Sequence, residues 1–310
     1  MAAMEPAPIA YFEGSYVPVE EARVSIMTHA FNYGTGLFEG IRGYYSPDED
    51  DVLVFRLKEH VDRLVRNFRI LCMDVPETPP DIETICVELV RRSGFKEGVY
   101  IRPVCYKSEL SLGPKLNDVQ SKLCCYVIKL GDYVDIDTGL DVAVSSWRRS
   151  SDNAIPSRAK CTGSYINSSL AATEAKKAGF DEAIFLREDG AVAEGSAMNI
   201  FMVMNGKLIT TPPTADILVG ITRNTVLQLA AEELEIQVEE RPISRTELYV
   251  CDEVFFSGTG AQVAPVRSVD RRIIGDGSPG PISRRLQKLY FDVVMGKVAK
   301  YRQWCTPVYK

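Results

Sequence analysis

The spacing of apolar residues predicts helices and strands that alternate along the whole chain. Between residues 57 and 71, apolar side chains recur every three or four positions, which is the period of an amphipathic helix. Further helices are predicted over residues 82–92, 164–177, 222–234 and about 282–294. Short apolar or alternating runs predict strands over residues 52–55, 99–106, 123–129, 140–147, 183–186, 199–204 and 253–256, with short strands between 8 and 28. Asn205 and Gly206 between two apolar runs predict a type I′ hairpin.

Residues 130–139 are polar and rich in turn formers, and they interrupt this pattern. A chain of 310 residues is long enough for two domains of about 150 residues each. We therefore expect a smaller N-terminal α/β domain over residues 1–130, a linker over 131–139 and a larger domain over 140–310.

Composition and charge exclude several classes of protein. Lys and Arg number 36 against 42 Asp and Glu, a net charge of −6, whereas nucleic-acid-binding proteins carry a basic surface. No run of about 18 apolar residues predicts a membrane span. The first residues lack a basic region followed by an apolar stretch, so we expect no secretory signal. The sequence predicts a cytoplasmic protein without nucleic-acid or membrane partners.

The few histidines and scattered cysteines limit the possible chemistry. With only His29 and His60, a three-histidine zinc site is impossible, and no Cys-x-x-Cys pair replaces it, so no metal is expected. The eight cysteines show no framework spacing, and we expect reduced, mostly buried thiols. A Ser-His-Asp hydrolase would have to use one of the two histidines, and no Gly-x-Ser-x-Gly is present.

Two turns could bind a phosphate group. Residues 219–223 lead into a predicted helix, with Thr222 as the expected N-cap and Gly220 allowing close approach to backbone N–H groups. Residues 257–261 form a second turn rich in glycine and hydroxyl groups. Taken singly, a plain capped helix and a plain loop are the simpler interpretations; together the turns favour a small phosphorylated ligand. No Walker motif is present, and Gly34, Gly36 and Gly40 do not fit Gly-x-Gly-x-x-Gly.

Lys160 and Glu194 are candidates for a reactive amine and a buried acid. Small and apolar residues surround Lys160, and Arg158 precedes it by two positions. Burial and this like charge would make the lysine nucleophilic, although a solvated surface lysine remains the alternative. Glu194 lies in an apolar stretch, where a carboxylate must be paired if it is buried; the alternative is a turn carboxylate. A lysine forming a Schiff base, an acid keeping a heterocyclic nitrogen protonated and a phosphate cradle together describe pyridoxal phosphate.

Several motifs carry a resemblance to a known family. Residues 194–201 fit the signature Glu-x-Ser-x-x-Asn-Ile-Phe, and residues 33–42, 100–102, 255–261 and 265–270 add further matches in the same order. From about residue 11 to 296, the chain closely resembles the class IV (fold type IV) pyridoxal-phosphate aminotransferases, and within them the branched-chain amino acid aminotransferases. The resemblance implies a two-domain fold type IV enzyme of α/β class (α+β type), with pyridoxal 5′-phosphate at the domain interface. It also implies at least a homodimer, because the second subunit supplies part of the pocket wall in that family.

The resemblance also assigns roles to residues. Lys160 matches the catalytic lysine that carries the cofactor as a Schiff base, and Glu194 matches the partner of the ring nitrogen. The implied cofactor-binding residues are Lys160, Glu194, Tyr165 (on O3′), Arg63 (on the phosphate), Gly220, Ile221, Thr222 and Thr259. The implied substrate-binding residues are Phe38, Tyr33, Gly40, Arg42, Tyr100, Arg102, Tyr133, Gly260 and Ala261. Among these, Arg102 matches the arginine that pairs with the distal carboxylate of glutamate, and the turn 259–261 matches the one that receives the α-carboxylate.

Three residues near these motifs are interpreted as structural. His29 is expected to be structural because Schiff-base chemistry needs no histidine. His60 is expected on a helix surface or at a helix cap near Arg63. Cys161, next to Lys160, is interpreted as a packing residue, although a cationic neighbour could raise its reactivity.

The activity implied is ping-pong transfer of the amino group of L-Leu, L-Ile or L-Val to 2-oxoglutarate, giving L-Glu and a branched 2-oxo acid. The chain departs from the family's pattern at Leu112-Gly113-Pro114, where proline removes an N–H group, and at Leu130, where bacterial relatives have tryptophan. These departures leave open a D-amino acid or (R)-amine aminotransferase on the same fold, or a branched-chain enzyme with (R)-amine side activity. A lyase and a catalytically silent binding protein are further alternatives; the intact Lys160, Glu194 and Arg63 argue against the latter.

Overall fold

The computed structural model describes residues 5–131 and 137–310, so the expected substrate residue Tyr133 lies outside the described residues. The strands are β1 (Ile9–Phe12), β2 (Ser15–Pro18), β3 (Gly36–Phe38), β4 (Ile41–Ser46), β5 (Asp51–Phe55), β6 (Val99–Lys107), β7 (Ser121–Lys129), β8 (Leu140–Arg148), β9 (Glu182–Leu186), β10 (Val192–Gly195), β11 (Asn199–Met204), β12 (Lys207–Thr210), β13 (Val238–Glu240), β14 (Glu253–Gly258), β15 (Gln262–Val269), β16 (Arg272–Ile273) and β17 (Cys305–Pro307). The helices are α1 (His29–Tyr33), α2 (Leu57–Phe68), α3 (Pro79–Ser93), α4 (Tyr165–Lys177), α5 (Ile221–Glu232) and α6 (Pro281–Val294). Short 3₁₀ helices cover Val19–Glu21, Arg245–Tyr249 and Ala299–Trp304.

Local sequence signals account for the ends of several elements. Thr78 and Asp81 form a reciprocal capping box at the start of α3. The helix ends at Gly94, whose φ of 67° is the left-handed conformation that glycine adopts without strain. Asn205 and Gly206 both have positive φ, at 53° and 74°, so the predicted hairpin between β11 and β12 is confirmed.

The chain divides into two compact units. The first unit comprises residues 1–131, 159–163 and 292–310, and the second comprises residues 132–158 and 164–291. Segment 159–163 thus groups with the N-terminal residues. The domain bounds given by the sequence remain a prediction.

The first unit is built on an eight-stranded sheet in the order β17-β5-β4-β6-β7-β1-β2, with β3 also paired to β6. Strand β6 alternates between buried and half-buried residues. Its buried residues Val99, Ile101 and Cys105 belong to one core with apolar residues of α2 and α3. Because side chains alternate between the faces of a strand, Tyr100 and Arg102 lie on the face opposite that core.

The second unit is built on a nine-stranded sheet in the order β10-β9-β8-β15-β14-β11-β12-β13, with β16 paired to β15. Strand β8 is parallel to both β9 and β15, and β12 is parallel to β13; the other described pairs are antiparallel. The first sheet is antiparallel in all its described pairs and the second is mixed, and together with the helices they confirm the expected α/β class. Within the described part of the chain, no helix combines the length and apolar character needed to cross a membrane.

The prediction that Thr222 is an N-cap is wrong. Helix α5 begins at Ile221, and its N-cap is Gly220, with φ −71° and ψ 139°. A Cβ atom at position 220 would lie 2.2 Å from the side-chain oxygen of Asn199, so the close approach of Asn199 requires glycine there. Thr222 therefore lies in the first turn of the helix and is 4% exposed.

Candidate active site

Lys160 lies in a short segment of the first unit that is hydrogen-bonded to β3. The carbonyl oxygen of Lys160 accepts a hydrogen bond from Phe38 N at 3.0 Å, and Thr162 N donates to Gly36 O at 2.9 Å. The neighbours of Lys160, Ala159 and Cys161, are both buried in the core. The lysine itself is half-buried, and its Nζ is 5.0 Å from the centre of the Phe38 ring.

Cys161 is a packing residue, as expected from the sequence. Burial raises the pKa of its thiol to about 11, so the group stays protonated at neutral pH. Its proximity in sequence to Lys160 does not make it a reactive thiolate.

Phe38 and Arg102 form an apolar and a cationic wall next to Lys160. The Arg102 guanidinium lies 4.6 Å from the centre of the Phe38 ring and donates a 2.7 Å hydrogen bond from Nη2 to Tyr100 Oη. Gly40 leaves room for that hydroxyl, because a Cβ atom there would lie 2.0 Å from Tyr100 Oη. Of the predicted substrate residues, the structure brings together Phe38, Gly40, Tyr100 and Arg102.

Arg63 belongs to a buried charge cluster with two residues whose partnership the sequence did not indicate. Its Nε and Nη2 each donate a 2.7 Å hydrogen bond to the carboxylate of Glu39, and His60 Nδ1 donates to the same carboxylate at 2.7 Å. Glu39 is 1% exposed and His60 is 2% exposed, so the prediction of a surface or capping role for His60 is wrong. Glu39 and His60 together fix the orientation of the Arg63 guanidinium.

The charge cluster shifts the pKa values of its members. Burial disfavours the ionised form of Glu39, but the charge of Arg63 and the hydrogen bonds from His60 and Arg63 outweigh it and hold the pKa of Glu39 at about 2. Burial lowers the pKa of His60, although its hydrogen bond with Glu39 acts in the opposite direction. At neutral pH the cluster therefore contains one carboxylate, one guanidinium and a neutral imidazole.

Two other predicted substrate residues have different partners in the first unit. Tyr33 Oη accepts a 3.0 Å hydrogen bond from Gly113 N, and His29 Nε2 donates to Gly113 O at 3.0 Å. These contacts hold the loop at residues 112–114, where the sequence departs from the family's pattern. Leu112 in this loop is 89% exposed. The hydrogen bond of His29 confirms its structural role. Arg42 lies opposite Tyr100 in the pairing of β4 with β6, and its Nη2 donates to Gly131 O at 2.9 Å.

Glu194 is a buried carboxylate of the second unit, and it is paired. Arg149 Nη2 lies 3.0 Å from Glu194 Oε1, and the two side chains are 9% and 7% exposed. Asn199 Nδ2 and the backbone N of Leu218 each donate to Glu194 Oε2 at 3.2 Å. The alternative of a turn carboxylate is wrong, because Glu194 lies in β10.

The two candidate phosphate turns both lie in the second unit. One is the start of α5, where Gly220, Ile221 and Thr222 bring the first backbone N–H groups of the helix together. The other follows β14, where Thr259 and Gly260 are half-buried and Ala261 is 2% exposed. Ser257 Oγ at this turn is buried without a hydrogen-bond partner among the described residues. Tyr165 is the first residue of α4 and is half-buried.

Four residues of these clusters were missed by sequence reasoning: Glu39, His60 as a partner, Arg149 and Asn199. A signal existed for two of them. A lone acid in an apolar stretch must be paired if buried, and Arg149 lies two residues after the predicted strand 140–147. Asn199 is the fixed asparagine of the signature at 194–201.

The chain matches the family described as amino-transferase class IV over residues 36–269. It is similar to a probable branched-chain-amino-acid aminotransferase of Aquifex aeolicus (strain VF5), with 50% identity over 97% of this chain and 96% of that protein. Its fold is similar to the branched-chain aminotransferase of Thermoproteus uzoniensis with norvaline, with a TM-score of 0.93, 41% identity and coverage of 99% and 100% of the two chains.

A second solved structure agrees with the first. It is the T.th. branched-chain amino acid aminotransferase complexed with N-(5′-phosphopyridoxyl)-L-glutamate, with a TM-score of 0.93, 39% identity and coverage of 97% of this chain and 99% of that chain. These matches extend over nearly the whole length of each protein, and they confirm the fold type and the family implied by the motifs. The chain belongs to the class IV amino-transferases and, within them, to the branched-chain-amino-acid aminotransferases.

Proposed function

We propose that this chain uses pyridoxal 5′-phosphate to transfer the amino group of L-Leu, L-Ile or L-Val to 2-oxoglutarate, giving L-Glu and a branched 2-oxo acid. The observation that carries the proposal is the position of Lys160, whose neighbours are core residues while its amine lies over the Phe38 ring beside Arg102. Norvaline in one relative is an aliphatic amino acid, and the phosphopyridoxyl-glutamate in another joins glutamate to the cofactor's ring.

The residues present fit the cofactor. When bound, pyridoxal phosphate supplies an electrophilic carbon for amines and a ring that accepts the electron pair of a breaking Cα–H bond. The buried carboxylate of Glu194 provides an anionic acceptor for a protonated ring nitrogen. The N–H groups at the start of α5 suit phosphate oxygens, and so does the Ser257 hydroxyl, which has no hydrogen-bond partner among the described residues.

Lys160 Nζ is the group that moves the proton. With the cofactor bound, Nζ would hold it to the chain in the resting enzyme, would take the proton from Cα of the amino acid and pass it to the cofactor, and would carry a proton in the opposite direction, to Cα, when the oxo acid is the substrate. Lys160 is half-buried, and its Nζ lies 5.0 Å from the centre of the Phe38 ring, which places the amine beside the proposed substrate surface.

The pocket has to accept an aliphatic side chain in one half-reaction and a carboxylate in the other. The Phe38 ring gives the first an apolar surface, and the Arg102 guanidinium gives the second a cation. Because Arg102 stacks on Phe38, both walls are available at the same place without a rearrangement.

The other site residues keep the roles that the resemblance implies. We assign Tyr165 to the cofactor's O3′ and the phosphate to Arg63, Gly220, Ile221, Thr222 and Thr259. We assign the substrate to Tyr33, Arg42, Tyr133 and the N–H groups of Gly260 and Ala261, together with Phe38, Gly40, Tyr100 and Arg102.

We also propose that the functional enzyme is a homodimer. Ile26 is 78% exposed, Phe31 is 68% exposed and Leu112 is 89% exposed, all in the first unit. His29 and Tyr33 of α1 contact Gly113, which joins these apolar side chains into one region. An exposed group of large apolar residues is typical of a protein–protein contact.

A cytoplasmic location is part of the same proposal. All eight cysteines are free thiols, six of them buried. Free thiols are common in compartments that are kept reducing.

The decisive experiment is the absorption spectrum of the purified holoenzyme before and after L-leucine, without an oxo acid. We expect the visible cofactor band to disappear, about one equivalent of 4-methyl-2-oxopentanoate to form per chain, and 2-oxoglutarate to restore the band while L-glutamate appears.

D-Leucine and an (R)-amine are the matched controls, and they should leave the band unchanged. A band that ignores L-leucine and responds to these compounds would reassign the donor. A protein that binds no pyridoxal phosphate would overturn the proposed activity.

Replacing Gly40 with alanine is expected to weaken the carboxylate half of the pocket. The new Cβ would lie 2.0 Å from Tyr100 Oη, so the hydroxyl must move, which disturbs its 2.7 Å hydrogen bond with Arg102. Loss of a hydrogen bond to a charged group predicts a KM for 2-oxoglutarate raised about tenfold, with a smaller change for L-leucine. Steady-state kinetics with each substrate varied measures the two effects.

Gly131→Ala is the control for this substitution. A Cβ atom there meets no atom of the described residues within 4 Å, and the carbonyl that accepts from Arg42 is retained, so both KM values should stay unchanged. Equal increases for the two substrates in Gly40→Ala would contradict a specific role of Tyr100 and Arg102 in carboxylate binding.

A further inference from the structure

Arg149 makes a direct contact with the acid assigned to the cofactor's ring nitrogen. Its Nη2 lies 3.0 Å from Glu194 Oε1, and both side chains are more than nine-tenths buried. The other oxygen, Oε2, receives its described hydrogen bonds from neutral donors, Asn199 Nδ2 and Leu218 N, each at 3.2 Å. The contact with Arg149 therefore brings a positive charge to Glu194.

Arg149 is itself held firmly in the second unit. Its backbone N donates to Leu186 O at 2.9 Å, and its Nε donates to Asp216 O at 3.2 Å. Its guanidinium lies 5.7 Å from the centre of the Phe185 ring. These contacts fix the position of the cation, so Arg149 can orient the carboxylate that it touches.

We propose that Arg149 is a positioning residue, which keeps Glu194 ionised and oriented so that the proton shared with the cofactor's ring nitrogen stays on the nitrogen. The inference rests on the proposed function, which assigns Glu194 to that nitrogen. The established family membership does not require it, because a lone carboxylate could also accept a hydrogen bond from the ring.

The physical reason is the cost of burying the carboxylate. A buried carboxylate without a cation favours its neutral form, and the shared proton would then move from the ring nitrogen to Glu194. A guanidinium in contact with one oxygen stabilises the ionised carboxylate far more than it disfavours the more distant protonated ring. With the proton on the nitrogen, the ring accepts electrons from the breaking Cα–H bond more readily.

The test is nitrogen NMR of the holoenzyme loaded with pyridoxal phosphate that carries ¹⁵N in its ring. We expect the wild-type protein to give the shift of a protonated ring nitrogen, and Arg149→Gln to move it toward the shift of a neutral ring. The kcat of the L-leucine half-reaction should fall about tenfold for each unit by which the pKa of the ring nitrogen decreases. The KM for L-leucine should change little.

Two variants separate the charge from the hydrogen bond and from general damage. Arg149→Lys keeps the charge and should retain the protonated nitrogen, even though the geometry of the guanidinium is lost. Arg148→Gln changes the exposed neighbour in sequence and should behave as the wild type in both measurements.

The outcomes distinguish this inference from the proposed function. A wild-type enzyme that reacts with L-leucine but has an unprotonated ring nitrogen would overturn the inference and leave the function intact. So would an Arg149→Gln protein that keeps the wild-type nitrogen shift. If Arg149→Gln does not fold, Arg149→Lys still decides, because loss of the protonated nitrogen with the charge retained contradicts the role. A wild-type protein that does not bind the cofactor would instead overturn the proposed function.

Discussion

Replacing Lys160 with alanine is expected to lower kcat for L-leucine and 2-oxoglutarate by at least about a thousandfold. The substitution removes the amine that we assign to the proton transfer at Cα of the substrate. This amine lies 5.0 Å from the centre of the Phe38 ring. Initial rates at saturating substrates measure the loss. A variant that keeps multiple turnovers at more than about a hundredth of the wild-type rate would contradict the assignment.

The fold should survive this substitution. The lysine is half-buried and is not a member of the core cluster, while Ala159 and Cys161 make the buried contacts of the segment. The pairing with β3 uses the backbone of residues 160–163, which alanine retains. The contact of the lysine amine with the Phe38 ring at 5.0 Å is lost, and such a contact stabilises by about 1 kcal/mol or less.

Two measurements therefore separate a chemical from a structural effect. Borohydride should attach a phosphopyridoxyl group to the wild-type chain but not to Lys160→Ala, and mass spectrometry detects the difference. A small primary amine in the buffer should restore part of the activity, because it supplies the missing base. Lys176→Ala is the matched control, since this lysine is 66% exposed, and it should keep full activity.

The sequence predicts the elements whose signals are local. The period of three and four residues fixes α2, and Gly94 fixes the end of α3, because both depend on neighbours along the chain. Strand β15 is different: Pro265 lies inside it, although β15 is paired on both sides by β14 and β8. Proline lacks the N–H group that a central strand uses, so the local sequence does not indicate this strand.

The candidate site shows the same division. Lys160 and Glu194 could be identified because a lysine and an acid among small and apolar residues are unusual. Their partners could not, because nothing in the spacing of residues says which cation meets which carboxylate. Arg149 and Arg148 are adjacent and chemically identical, and the pairing of β8 within the sheet decides that Arg149 is buried against Glu194 while Arg148 is exposed.

Replacing Glu39 with glutamine is expected to lower the free energy of unfolding by about 3 kcal/mol at neutral pH, because one partner of a buried ion pair is removed. Arg63 and His60 donate hydrogen bonds to both carboxylate oxygens of Glu39. In glutamine one of these oxygens is replaced by an NH₂ group, which cannot accept them. With Arg63 no longer held, the dissociation constant of pyridoxal phosphate should also rise. Urea unfolding and a cofactor titration measure the two effects.

The stability difference should depend on pH with a defined sign. The pKa of Glu39 is lowered from 4.5 to about 2 in the folded protein. A group with a lowered pKa stabilises fully above its unfolded value and loses that contribution as the pH falls toward its folded value. The difference between wild type and Glu39→Gln should therefore shrink from about 3 kcal/mol at pH 7 to about 2 kcal/mol at pH 3.5.

A surface ion pair in the first unit tests whether burial causes the effect. Glu59 is 37% exposed and pairs with Arg56 at 2.8 Å, so Glu59→Gln should change the free energy of unfolding by about 1 kcal/mol or less and leave cofactor binding unchanged. Equal losses in Glu39→Gln and Glu59→Gln would mean that the buried cluster contributes no more than a surface ion pair. If Glu39→Gln is less stable but binds the cofactor as tightly as the wild type, Glu39 is not needed to orient Arg63 for the phosphate. Its role would then be limited to the stability of the fold.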